Sequence, residues 1–213
     1  MRPLIDAGIV PRVKDIDLPS WAPNFSAEPE GLTTQADENR EAQYSCTYCT
    51  SGKRSHVLES VMERTLRGRG VLIDVAVHIG ESVPYESSPE DQLTIVQAWW
   101  KLALSYPNIR KMYQTDSELC EIFSRTMVGD VWLERSSTSG GVQAYWRRLP
   151  RNCAGLMLDK VIDNDVSIFQ DSRIRLALET AQYGRAFFLT EQGYVGLGPA
   201  NMKSRGELWV LDG

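Results

Sequence analysis

Two rhythms of hydrophobic positions run along this chain. In "GVLIDVAVHIG", Val71, Ile73, Val75, Val77 and Ile79 alternate with Leu72, Asp74, Ala76 and His78. A period of two with β-branched residues on one face predicts a half-buried strand. Just upstream, "HVLESVMERTLRGRG" offers a partner strand, and Gly68 and Gly70 supply the turn or bulge between them. The rhythm then lengthens. In "SSPEDQLTIVQAWWKLALSY", Leu93, Val96, Trp100 and Leu104 mark one helical face, and Ile95, Trp99 and Leu102 mark a second. A helix apolar on two sides is mostly buried. Ser88 is its candidate cap, Pro89 its first residue, and Pro107 its stop.

A second helix is expected over "TDSELCEIFSRTMVGD". Asp116 or Ser117 caps it, Leu119, Ile122, Phe123 and Met127 line one face, and Gly129 ends it. "ERSSTSGGV" reads as a flexible connection and "QAYWRRL" as a short helix, while residues 150–169 give no clear period. "SRIRLALETAQYGR" is helical again, with Gly184 as its C-terminal cap, and three short strands follow to the end of the sequence. Residues 1–42 lack such patterning and read as an extended or disordered segment, with two prolines bracketing Trp21. The pattern therefore predicts an α+β fold over residues 43–213: a strand pair packed on a central helical block, followed by a small, incomplete C-terminal β-unit.

Composition narrows the function classes. The chain has 213 residues, 42% of them hydrophobic, and a net charge of -5. That is enough apolar material for a core, and the acidic balance argues against nucleic-acid binding, which needs a basic stripe. No apolar run approaches the ~20 residues of a membrane helix, and no secretory signal opens the sequence. Reduced cysteines and a cytoplasmic location are the expectation for Cys46, Cys49, Cys120 and Cys153.

The chemistry-bearing motifs are sparse. Cys46-Thr-Tyr-Cys49 has metal or redox spacing, but no second pair completes a zinc site, so neither metal nor cofactor is expected. Asp74 and His78, four apart on a strand, would share a face and could serve as an acid/base pair; the wet face of a half-buried strand is the plainer reading, and Asp74 could instead brace a neighbouring chain. Gly193, Gly196 and Gly198 are followed by Pro199 and another strand, not by the helix that a phosphate-binding loop opens, so they serve tight bends and close strand packing.

Several segments, in order, resemble the region that follows the signature domain of fungal heterokaryon incompatibility (HET-domain) proteins. "LPSWAPNFS" is similar to that family's Leu-Pro-Ser-Trp-x-Pro-Asp-Trp-Ser, with Asn24 and Phe25 replacing Asp and Trp. "YSCTYCTSG" sits where the family has a strand opening on Tyr, and "LRGRGVLIDVAVHIGE" places Gly70 and Asp74 at the positions of its Leu-x-Val-x-Gly-x-x-x-Asp-x-Ile strand pair. "EIFSRTMVGD" resembles Phe-Trp-Arg-Thr-Leu-x-x-Asp: Phe123, Arg125, Thr126 and Asp130 match, and Ser124 replaces Trp. "GRAFFLTEQGYVGLGP" is similar to a Gly-Arg-Arg-Phe-Phe-x-Thr-x-x-Gly-x-x-Gly-Leu-Gly-Pro ending, matched by Gly184, Arg185, Phe187, Phe188, Gly193, Gly196, Gly198 and Pro199.

The resemblance covers roughly residues 18–213. The family's Ala-Leu-Ser-Tyr-x-Trp-Gly opening is not in this sequence, and the final segment stops short of a further strand. The resemblance thus implies the C-terminal half of such a protein, clipped at both ends. It also implies a role in fungal allorecognition, where fusion of unlike hyphae triggers programmed cell death. The activity lies with the upstream domain, so this half is expected to be a non-enzymatic regulatory or scaffold region whose partner is that domain or another protein. Two alternatives stand beside it: an interaction module that pairs or self-associates through the edge of "ELWVL", and a hydrolase built on Asp74 and His78.

Overall fold

The alternating segment forms a long central strand because it has partners on both sides. The computed structural model describes residues 59–62, 65–67, 70–138 and 141–211. Trp21, Cys46 and Cys49, with the whole segment 1–42, lie outside the described residues. Strands β1 (Glu59–Met62) and β2 (Thr65–Arg67) pair with each other as an antiparallel hairpin. Strand β3 (Gly70–Ser82) pairs instead with strands from the end of the chain, β6 (Arg185–Thr190) and β8 (Glu207–Leu211). With β7 (Val195–Pro199) they make an antiparallel sheet in the order β7-β6-β3-β8. The fold is α+β. The glycine-punctuated ending is built into the main sheet around β3, and the partner that local sequence offered to β3 pairs within its own hairpin.

Between β3 and β6 lies the helical block: α1 (Pro89–Ser105), the single turn α2 (Ile109–Met112), α3 (Asp116–Met127), α4 (Arg151–Ile162), a 3-10 turn (Val166–Gln170) and α5 (Ser172–Gln182). Ser88 caps α1 as its sequence predicts, its hydroxyl accepting from the Asp91 amide at 3.1 Å. In α3 the cap falls one residue earlier than expected. Thr115 and Glu118 form a reciprocal capping box, each side chain accepting from the other's amide at 3.1 Å. Gly129 and Gly184 follow α3 and α5 with φ of 61° and 69°, the left-handed turn that glycine allows without strain.

The segment read as a flexible connection and short helix is a hairpin. Strands β4 (Val131–Thr138) and β5 (Gly141–Arg148) pair in unbroken register from Val131–Arg148 to Thr138–Gly141. Cross-strand pairing, invisible to a local reading, fixes these residues as strands.

Three aromatic rings bind the layers together. Trp99 of α1 stacks on Phe187 of β6 with centroids 5.9 Å apart, and Phe123 of α3 meets the same Phe187 edge-on at 5.6 Å. All three are fully buried. Trp99 also lies against Gly80 of β3, where a Cβ would come within 2.5 Å of its ring, and its indole N–H donates to the Glu81 carbonyl at 2.7 Å. Helix, central strand and C-terminal strand thus share one core. The buried face of β3 carries Asp74 and Ala76, while Val75, Val77 and Ile79 are half-buried. The apolar alternation pointed to the other face. At Gly80 the missing side chain lets Trp99 of α1 approach the strand closely.

Candidate functional site

Two polar constellations stand out against this core. The first is a clamp on the β6–β7 turn. Asp74 is 6% exposed and accepts from the Val75 amide at 2.8 Å and the Gln192 amide at 3.0 Å. Burial pushes its carboxyl pKa up, but the Thr190 hydroxyl and those two amides outweigh burial and hold it below the ordinary value. The same turn is gripped from outside: Asn108 Nδ2 and the Tyr106 hydroxyl donate to the Glu191 carbonyl at 2.7 and 3.1 Å. Gly193, with φ of 101°, lets the turn pass against the Asn108 carbonyl.

His78 lies apart from Asp74 and meets the clamp only through the Tyr106 ring. Register shifts in β3 between Ala76 and His78, and its ring stands exposed, edge-on to Tyr106 at 5.0 Å. The shared face expected of Asp74 and His78 is broken by that irregularity, one side chain being buried and the other wet.

The second constellation is a cleft of about 410 Å³ at the C-terminal end of α3. Ile122, Arg125 and Thr126 come from the last turns of α3, and Gly129 and Asp130 follow in consecutive left-handed conformations, with φ of 61° and 62°. Arg185 at the start of β6 and Val195 and Leu197 of β7 form another wall, and Tyr113 and Ala181 complete it. Arg125 Nε donates to Glu121 at 3.0 Å, and Nη1 donates to Asp130. Burial alone would lower the guanidinium's pKa, but the Asp130 and Glu121 carboxylates outweigh it and raise it. A non-glycine residue at positive φ is strained, and Asp130 is held there from several sides. Its amide donates to the Arg125 carbonyl at 2.6 Å, and its carbonyl accepts from the Leu149 amide at 3.0 Å, which closes the base of the β4–β5 hairpin.

The remaining motif residues have packing roles. The Phe188 ring lies over Gly196 and Gly198, where added Cβ atoms would come within 2.4 Å and 3.3 Å of it. Gly184 receives the Tyr85 hydroxyl against its backbone. Gly70 begins β3 and Pro199 ends β7. Thr126 Oγ1 donates back to the Ile122 carbonyl at 2.8 Å. Sequence reading missed a buried amide relay: Gln92 donates to Gln182 at 2.8 Å, and Gln182 to the Met127 carbonyl at 3.0 Å. The only sequence signal was a Gln set between apolar positions at the start of α1. Among the described residues no group of three or more His, Cys, Asp or Glu is placed to hold a metal, and no helix is long and apolar enough to cross a membrane.

Comparison of the chain with protein-family models, with curated proteins and with solved structures gives no match in any of the three.

Proposed function

We propose that this chain is a non-enzymatic regulatory or scaffold region of a fungal heterokaryon incompatibility protein, acting in the cytoplasm in non-self recognition and programmed cell death. The observation that carries this reading is the meeting of motif residues that are far apart in sequence. Asp74, from one motif, accepts from the Gln192 amide inside another. Phe123 packs on Phe187. Arg125, Thr126 and Asp130 line one cleft with Arg185. Motifs that resemble those of one family, in the same order, and that also form one contact network support a shared architecture. The roles these residues take, as ring contacts, turn clamps and close strand approaches, are those of a scaffold.

On this reading the region restrains or positions an effector domain supplied upstream. Expressing residues 1–213 in a fungal host, with and without an intact HET domain, tests it. Normal growth with the fragment alone, and altered death when the domain is co-expressed, are expected; death from the fragment by itself overturns the restraint.

The exposed edge favours a second reading. Among the described residues β8 pairs with β3 alone, and its Trp209 is 51% exposed. Such an edge is a template for strand addition. Concentration-dependent association of the purified chain, lost in Val210→Pro, supports this reading, and a monomer at high concentration removes it.

A further inference from the structure

The β4–β5 hairpin leaves the helical core at one corner and returns beside it. Val128 and Leu149, which flank it, are 1% and 2% exposed, so both of its ends are anchored. Between these anchors, among the described residues, β4 and β5 pair only with each other, and β4 lies beside α5. An isolated two-stranded hairpin is marginal in water, so its position depends on that support and on the corner. The corner is Gly129–Asp130, two successive left-handed residues. Gly129 takes that conformation freely, whereas Asp130 takes it against steric strain.

The strain is opposed by contacts to the last turn of α3. The Asp130 carboxylate accepts from Arg125 Nη1, and the Asp130 amide donates to the Arg125 carbonyl at 2.6 Å. Both side chains of the ion pair are 20% exposed, so solvent screens it less than a surface pair. Arg125 also donates through Nε to Glu121, one turn earlier in α3. It therefore keeps a carboxylate when Asp130 moves away, and release leaves no buried cation unpaired.

We propose that the Gly129–Asp130 corner is a strained hinge and the Arg125–Asp130 pair its latch, giving the hairpin two positions, closed on α5 and swung away from it. With the latch made, its contacts outweigh the strain. With the latch broken, Asp130 relaxes to negative φ, the direction of the chain after Gly129 changes, and the hairpin moves as a unit with its ladder intact. The swing uncovers the stretch of α5 beside which β4 lies. A two-position element biased by one local charge contact is a switch. The inference goes beyond the scaffold reading and does not depend on it.

The test uses the full chain with spin labels introduced as noncanonical residues at Thr138, the end of β4, and at Lys101, exposed on α1. Electron–electron double resonance reads the distance between them, and circular dichroism reads the fold. The wild type should give one distance. Asp130→Ala removes the carboxylate and keeps the strain, and should place at least about a tenth of the molecules at a second distance. Arg125→Gln breaks the latch from the other side and should do the same. Asp130→Gly removes carboxylate and strain together, and should give a smaller second population than Asp130→Ala. That order separates a strained hinge from a contact that merely adds stability. One unchanged distance in both Asp130→Ala and Arg125→Gln, equal second populations in Asp130→Ala and Asp130→Gly, or a second population that appears only with loss of helical signal would overturn the proposal.

Discussion

Ala76 of β3 is fully buried and Gly80 lies against Trp99 of α1, whereas Val71, Leu72 and Ile73 of the same strand are 62%, 45% and 42% exposed. Both stretches are apolar and both are hydrogen-bonded on the sheet. They differ in what crosses them. The first meets Trp99, which occupies the space left by the missing side chain of Gly80. The second pairs with β8, whose Trp209 is itself exposed opposite Leu72. Hydrophobicity along a strand therefore does not decide burial; a helix at the right distance does, and small residues let it come close.

The strongest way to break the contrast is to empty the covered side. Phe187 touches both Trp99 and Phe123, so Phe187→Ala leaves a void against two rings that are already fixed by their own helices. The expected loss is about 3–5 kcal/mol, read as the shift in a urea unfolding midpoint at constant slope. An unchanged midpoint would mean that β6 is not part of the same core as α1 and α3.

Gly80→Ala attacks the same contact from the other side. Its Cβ would sit 2.5 Å from Trp99 Cδ1, and the indole cannot swing away without losing its 2.7 Å bond to the Glu81 carbonyl. A loss of about 1–3 kcal/mol is expected, with altered near-ultraviolet signal from Trp99. A neutral effect would show that α1 rides more loosely over β3 than the ring geometry requires.

The ends of elements were legible in the sequence wherever one residue acts alone. Ser88 and Pro89 begin α1, and Gly129 and Gly184 end α3 and α5, because capping and left-handed turns are local chemistry. What depends on partners was not. β4 and β5 meet across a stretch of Ser, Thr and Gly, and pairing along the whole ladder makes them strands. β3 shows its more regular apolar face to sequence analysis, yet buries the face of Asp74 and Ala76. In the cleft, the resemblance singled out Arg125, Asp130 and Arg185, but their convergence spans the whole of α4, α5 and the hairpin, a distance no motif encodes.

Asp74, in the β8-paired part of β3 but buried against the β6–β7 turn, is a gentler probe, and pH gives it a sign. Its folded pKa is lowered by the Thr190 hydroxyl and the Val75 and Gln192 amides, so its stabilisation is present above the unfolded value of about 3.9 and fades as pH falls through the folded one. Asp74→Asn presents an NH2 where an acceptor is needed and should cost about 1–3 kcal/mol at neutral pH. The gap between wild type and variant should narrow below about pH 4. A gap that stays constant down to pH 2 would separate the clamp from the ionised carboxylate.

The smallest effect is expected on the uncovered half, and it is the sharpest control. Leu72 and Trp209 face each other across β3 and β8, both well exposed, so polar replacements there remove little buried area. Leu72→Ser and Trp209→Ser should each change stability by no more than about 0.5 kcal/mol, as surface substitutions do. Trp209 Nε1 donates to its own neighbour Glu207 at 2.9 Å, an exposed contact that adds little. A measured loss above about 1.5 kcal/mol for either variant would show that this ribbon is covered in solution, and a concentration dependence of that loss would identify the cover as a second copy of the chain. If the losses stay small and independent of concentration, the two halves of β3 differ for the reason given: one lies under a helix and the other does not.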